Sequence, residues 1–224
     1  MRDDARVDAM RETGGTLPRQ GRFLTFEGGE GAGKSTQISR LKERLNAAGI
    51  EAVVTREPGG SPTAETIREL LLSGKVKPLG AEIEAVMFAA ARADHVDETI
   101  RPALNAGRWV LCDRFADSTR VYQGVGRADL RPVVDELHAL MIAREPDLTL
   151  LIDIGPREGL ARAAERGGGE ARFEDFGEGL QNRLRAGFLA LAEEFPDRVA
   201  VIDGARPPEA VAVDVARAVE ARLA

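Results

Sequence analysis

The chain has 224 residues and a mass of 24.1 kDa, with 43 % hydrophobic and 30 % charged residues; that suits one globular domain and is too little for two large cores. Its longest uninterrupted apolar run is the seven residues 85–91, far short of the about 20 that a bilayer-spanning helix needs. A net charge of −6 argues against broad binding to nucleic acid or anionic membranes, which require a positive surface, so any anion must be held by a local arrangement of groups.

Residues 1–20 are polar and charge-balanced, with four Arg against three Asp and one Glu, and are broken by Gly14, Gly15 and Pro18. They read as a disordered extension ahead of a domain spanning 21–224. No stretch like the apolar core of a signal peptide follows Met1, and the single cysteine, Cys112, has no partner for an internal disulfide; both point to the cytoplasm. From Phe23 to Phe26 the pattern becomes β-prone and ends in Glu27 and a glycine cluster. Ile38, Leu41 and Leu45 then recur at helical spacing, closed by Gly49.

The alternation continues with a strand at 52–55, a helix at 63–73, and a long helical stretch at 81–105 interrupted near Pro102. A strand at 109–112 follows, then a helix at 131–144, a near-continuous apolar strand at 148–152, and a helix at 156–166. After the triple glycine 167–169 the sequence predicts a helix running to about Phe195, a strand at 199–202 and a last helix beyond Pro207 and Pro208. Five short apolar strands separated by helices predict an α/β fold, a five-stranded parallel sheet with helices on both faces.

Residues Gly28, Gly29, Glu30, Gly31, Ala32, Gly33, Lys34 and Ser35 fit G-x-x-x-x-G-K-S/T between the first strand and the first helix. At this composition the pattern would arise by chance roughly once in 300 such chains, before the flanking elements are required, so it marks a phosphate-binding loop. Glycines let successive N–H groups face phosphate oxygens, and the helix N-terminus adds a favourable dipole. Lys34 would reach the β- and γ-phosphates and Ser35 would ligate Mg²⁺. With Thr36, these residues form the expected ATP-binding set. None of the three asparagines begins an N-K-x-D guanine signature, and the loop lacks the G-x-G-x-x-G spacing of dinucleotide-binding folds. Glu30 is the odd member, because a carboxylate inside an anion cradle is unfavourable unless it faces away or meets a hydroxyl or a cation.

Further motifs follow in order: Thr55-Arg56-Glu57-Pro58-Gly59-Gly60, then Phe88 with Arg92 one helical turn on, then Asp113-Arg114-Phe115, Ser118-Thr119 and Tyr122-Gln123, and finally a glycine- and arginine-rich segment at 159–174. With the phosphate loop, they make residues 22–224 resemble the thymidylate kinase family, whose members have a P-loop NTPase fold with a short mobile lid and are dimeric. The resemblance implies transfer of the γ-phosphoryl of MgATP to dTMP. It implies Glu30 near the deoxyribose 3′-hydroxyl, Phe88 stacked on thymine, Arg92 bonded to the base, and Arg114 clamping the acceptor phosphate with Asp113 near Mg²⁺. Thr119 and Gln123 are placed for base contacts and Tyr122 near the sugar 2′ position; Arg56, Pro58 and Ser118 complete the substrate-facing set. The Glu57–Pro58 peptide is expected to be cis.

Two phosphorylated substrates repel, so cations must bridge them. Position 31 is glycine rather than arginine, so beyond Lys34, Arg114 and Mg²⁺ a further positive group must come from elsewhere. The lid at 157–174 offers Arg157, Arg162, Arg166 and Arg172, of which Arg166 and Arg172 are favoured as catalytic, with Glu174 as a further Mg²⁺ or sugar-side contact. His95 and His138 stand too far apart in sequence to read as a metal pair, and Cys112 reads as core packing. Two alternatives stay open: another nucleoside or nucleoside-monophosphate kinase with the same donor site, and a regulatory module that uses ATP only to change shape. The cluster Phe88, Arg92, Arg114 and Tyr122 weighs against the second, because an ATP switch does not require it.

Overall fold

Strand β1, Phe23–Glu27, is buried along its whole length, which explains its lack of polar alternation. In the computed structural model, which describes residues 21–126, 130–165 and 178–223, β1 is the centre of a five-stranded parallel sheet. The other strands are β2 (Ala52–Arg56), β3 (Trp109–Asp113), β4 (Leu148–Asp153) and β5 (Val199–Asp203), in the order β2-β3-β1-β4-β5. All five strands predicted from sequence are present, each extended by one residue towards its carboxyl end.

Side chains alternate across the sheet. Leu24, Phe26, Leu111, Leu150 and Ile152 pack on one face against helices α1 (Lys34–Ala47) and α9 (Pro208–Leu223), through Ile38, Leu41, Leu45, Val211 and Val215. Phe23, Val110 and Cys112 face the other way, towards Ala89 of α3 (Ala81–His95), Val96, Ile100 and Phe115. Leu151 on that second face meets Val121 of α5 (Ala116–Gly126) and Leu184, Phe188 and Leu191 of α8 (Glu178–Glu194). The sheet therefore has helices on both faces, as expected, and the remaining helices are α2 (Pro62–Leu72), α4 (Arg101–Asn105), α6 (Arg131–Met141) and α7 (Pro156–Glu165).

Two elements differ from the sequence pattern. The long helix does not break at Pro102; its path widens into a π-helical turn at Val96–Ile100 before α4 begins. Proline lacks an N–H and its ring collides with the carbonyl four residues back, and a wider turn accommodates both. Helix α5 carries no strong apolar period and holds two glycines, so the sequence did not mark it. Its first turn is instead capped from afar: the Glu27 carboxylate accepts hydrogen bonds from Phe115 N at 2.8 Å, Ser118 N at 3.2 Å and Ser118 Oγ at 2.6 Å. That satisfies N–H groups left open at a helix start. Cys112 is free and buried, in keeping with a packing role. The expected N-terminal extension, and Arg166, Arg172 and Glu174 of the lid, lie outside the described residues. Among the described residues no helix is long and apolar enough to cross a membrane.

Candidate active site

Adjacent parallel strands end side by side, so the segments that follow β1, β2 and β3 converge. Phe26 and Arg56 are both in register with Asp113, and the ladder continues past the strands as Arg114 N donates to Phe26 O and Glu57 N donates to Asp113 O, each at 2.9 Å. Helices cover the faces, and this carboxyl end of the sheet is where open α/β sheets bind ligands. A cavity of about 330 Å³ lies there, lined by Glu30, Arg56, Pro58, Phe88, Arg92, Arg114, Ser118, Thr119, Tyr122 and Gln123, together with residues 31–35 and Asp113. Every substrate-facing residue singled out from sequence is thus brought to one cavity. Gly28 and Gly29 instead line a smaller neighbouring pocket with Ile152 and Leu184, and Thr36 is exposed on α1 without lining the main cavity.

The phosphate loop holds its shape through two close backbone approaches. Gly28 and Gly31 have φ of +134° and +69°, and a Cβ on them would lie 2.4 Å from Ile152 O and 1.8 Å from Gly159 O, respectively. Only glycine fits either position. The latter contact sets the loop directly on α7, so the first part of the expected lid segment, residues 157–165, is a helix packed on the phosphate loop. Arg162 of that helix donates to Gly204 O at 2.8 Å, so α7 is fastened on both sides.

Lys34 is buried and folds its ammonium over the loop, donating to Gly28 O at 3.2 Å and Gly29 O at 3.0 Å. Burial and the neighbouring Arg114 lower its pKa, against Asp113, Glu30 and Glu27, which raise it. The Ser35 hydroxyl donates to Asp113 Oδ2 at 3.0 Å. A hydroxyl and a carboxylate oxygen side by side next to a phosphate loop are hard donors of the kind Mg²⁺ takes, and they come from α1 and β3.

Arg114 stands between the loop and the rest of the cavity. Its φ of +67° is uncommon for a residue with a side chain and marks a strained turn at the end of β3. Its guanidinium donates to Glu30 Oε1 at 2.8 Å and Ser118 Oγ at 3.1 Å and lies 5.4 Å from the Tyr122 ring centre. Burial opposes its charge, but Tyr122 and the carboxylates of Glu30, Glu27 and Asp113 raise its pKa above the ordinary arginine value. Glu30 therefore meets a cation, which removes the electrostatic objection to a carboxylate in this loop. Behind them Glu27, fully buried, has its pKa raised to about 7 by desolvation and Asp117, against Arg114 and the hydrogen bonds it accepts.

At the far end, Phe88 and Arg92 project from the same face of α3. Phe88 is half-buried and belongs to the cavity wall. Arg92 is 4 % exposed; its Nε donates to Glu57 Oε2 at 2.7 Å and its Nη2 to Thr119 Oγ1 at 2.9 Å, over the Phe115 ring at 5.1 Å. The Glu57–Pro58 peptide is cis, as expected. Three lining residues were not assigned roles from sequence: Glu57, Phe115 and Arg68. The first two lie inside quoted motifs. Arg68, on α2, donates to Pro58 O at 2.8 Å, and nothing in its local spacing distinguishes it from a solvated helix residue.

Comparison with known proteins agrees with this geometry. The thymidylate kinase family model matches residues 26–215. The chain is similar to the thymidylate kinase of Ruegeria pomeroyi, 60 % identical over 203 residues that cover 91 % of this chain and 96 % of that one. It is also similar to that of Dinoroseobacter shibae, 55 % identical over 199 residues with 89 % and 96 % covered. The crystal structure of thymidylate kinase from Ehrlichia chaffeensis superposes with a TM-score of 0.72 at 32 % identity, covering 89 % of this chain and 99 % of that chain. A matched segment that takes in the phosphate loop, the cis-proline turn and the Asp113-Arg114-Phe115 turn places this chain in the thymidylate kinase family.

Proposed function

We propose that the protein transfers the γ-phosphoryl group of ATP to the 5′-phosphate of dTMP, giving dTDP for dTTP synthesis. The observation that carries this reading is Arg114: a buried guanidinium, held by Glu30 and Ser118, standing in one cavity between a phosphate loop and an aromatic-plus-arginine end. An acceptor monophosphate spans that distance, with its phosphate at Arg114 and its base between Phe88 and Arg92. Donor and acceptor then meet end to end, and Lys34 and Arg114 offset the repulsion between them. Phosphoryl transfer needs chiefly this positioning and neutralisation.

Ser35 and Asp113 would hold Mg²⁺ together with nucleotide oxygens, and the ion neutralises charge on the phosphates being transferred. Thr119 and Gln123 would face the base, Tyr122 the 2′ side of the sugar, and the second oxygen of Glu30 the 3′-hydroxyl; Arg56, Pro58 and Arg68 complete the wall. Arg166 and Arg172 of the expected lid would be the further cations for the donor phosphates. A cytoplasmic homodimer is part of the proposal. Leu70, Ile83 and Val86 are each more than 40 % exposed on α2 and α3, an apolar strip that a second copy would cover, and the one cysteine is free.

The test is a coupled assay of purified protein with MgATP across dTMP, dUMP, CMP, GMP, AMP and thymidine. The reading requires dTMP to be the best acceptor. Turnover of another monophosphate in preference to dTMP would make the protein a different nucleotide kinase, and ATP binding with no acceptor turned over would make it a regulatory module. Sedimentation of the purified protein as a monomer would remove the dimer.

A further inference from the structure

His95 is fully buried, and it sits three residues beyond Arg92, at the end of α3. Its Nδ1 lies 3.0 Å from Glu57 Oε1 and its Nε2 2.7 Å from Thr55 Oγ1. Both contacts are satisfied by a neutral ring with the proton on Nδ1, donating to the carboxylate and accepting from the threonine hydroxyl. The other Glu57 oxygen takes Arg92 Nε at 2.7 Å. One carboxylate therefore joins the imidazole to the guanidinium, with every bond inside the protein.

The glycine that follows the cis-proline turn is shaped around this ring. Gly60 has φ of +91°, and a Cβ there would lie 2.3 Å from His95 Nε2 and 2.5 Å from Thr55 Oγ1. Its carbonyl accepts from Thr99 Oγ1 at 2.7 Å, which ties the turn to the helix beyond. Thr55, Glu57 and Gly60 of the T-R-E-P-G-G segment thus all contact one side chain that never reaches the cavity.

The consequence falls on Arg92. With Nε fixed by Glu57 and Nη2 by Thr119, Nη1 donates to no described residue, on a side chain that lines the cavity. A guanidinium held this rigidly offers donors only. It donates to a pyrimidine carbonyl and is mismatched with an amino group at the same ring position, where two donors would face each other. We infer that His95, acting through Glu57, is a positioning residue that sets how Arg92 meets the acceptor base and so governs the choice between a carbonyl and an amino group at pyrimidine position 4.

This inference rests on the dTMP reading, and its test separates the two. The kcat/KM values for dTMP, dUMP and dCMP are measured for wild type, His95→Gln, His95→Asn and Glu57→Gln, with Tm recorded for each. In His95→Gln the amide reaches towards Thr55 but leaves Glu57 Oε1 without its His95 partner; in His95→Asn a donor stays near the Nδ1 position. The dTMP-to-dCMP ratio is expected to fall about ten- to a hundredfold in His95→Gln and Glu57→Gln. It is expected to stay within about threefold of wild type in His95→Asn, and the dTMP-to-dUMP ratio, which reports the methyl group, to change little in any of them. If His95→Gln fails to fold, Glu57→Gln and His95→Asn carry the same comparison. A uniform loss on all three acceptors with both ratios unchanged would overturn the inference and leave His95 a purely structural residue. A wild-type protein inactive on dTMP would instead count against the proposed function.

Discussion

Replacing Gly31 by alanine adds one methyl group and tests the phosphate loop as a mechanical part. At φ +69° the new Cβ would stand 1.8 Å from Gly159 O, and the left-handed backbone alone costs an L-residue about 1–2 kcal/mol. To reach ordinary contact the loop and α7 must separate by about 1.6 Å, an overpacking cost of about 1–3 kcal/mol. Together these amount to about 3 kcal/mol, or about 6–12 °C in Tm for a domain of this size. A displacement above about 1 Å beside reacting phosphates costs about a hundredfold in rate, so kcat in the coupled assay is expected to fall by about that factor. Gly29→Ala is the control, since nothing lies within 4 Å of its added Cβ; it is expected to keep kcat within about threefold of wild type. Gly33→Ala separates strain from collision, with φ +93° and open space, and is expected to lower Tm by less than Gly31→Ala. A Gly31→Ala protein with wild-type Tm and kcat within about threefold of wild type would refute the claim that α7 is seated on this loop.

Other outcomes follow from the same geometry. Lys34→Ala should abolish turnover, by about a thousandfold or more, while Tm stays near wild type; near-normal turnover would remove Lys34 from the phosphate site. Arg166→Ala and Arg172→Ala should lower kcat with little change in KM for dTMP, because a lid cation acts on charge that develops in the transition state. A change confined to KM would contradict that role. Glu27 has its pKa raised to about 7 in the fold, from 4.5, so between those values the native state binds more protons than the unfolded chain. Its contribution to stability is present below about pH 4.5 and is lost as pH rises through 7. Chemical denaturation at pH 5 and pH 8 should show wild type losing up to about 3 kcal/mol relative to Glu27→Gln; identical pH dependence in the two proteins would exclude this.

What the sequence reveals is what is locally encoded. The five strands are short apolar runs, and the phosphate loop is eight contiguous residues whose spacing alone dictates its chemistry. Phe88 and Arg92 share a helix face by periodicity, so their pairing was readable before their place in the cavity was. Helix α5 was not readable, because Glu27, nearly ninety residues earlier in the chain, caps its first turn. Arg68 enters the site only because the turn through Pro58 carries α2 to the cavity. His95 looks like an isolated histidine in sequence; its partners Thr55 and Glu57 lie about forty residues away and meet it only when β2 and α3 pack on the same sheet. The π-helical turn at Val96–Ile100 followed Pro102 in cause and preceded it in position, so the sequence showed the disturbance and misplaced its form.

The most direct test of the account is a crystal structure of the protein with dTMP and a non-hydrolysable ATP analogue in the presence of Mg²⁺. The thymine ring should lie against Phe88 with its 4-carbonyl facing Arg92, the dTMP phosphate should contact Arg114, and the donor phosphates should rest on residues 28–35 beside Lys34. A dTMP molecule bound away from Phe88 and Arg114, or a donor whose terminal phosphate points out of this cavity, would contradict it.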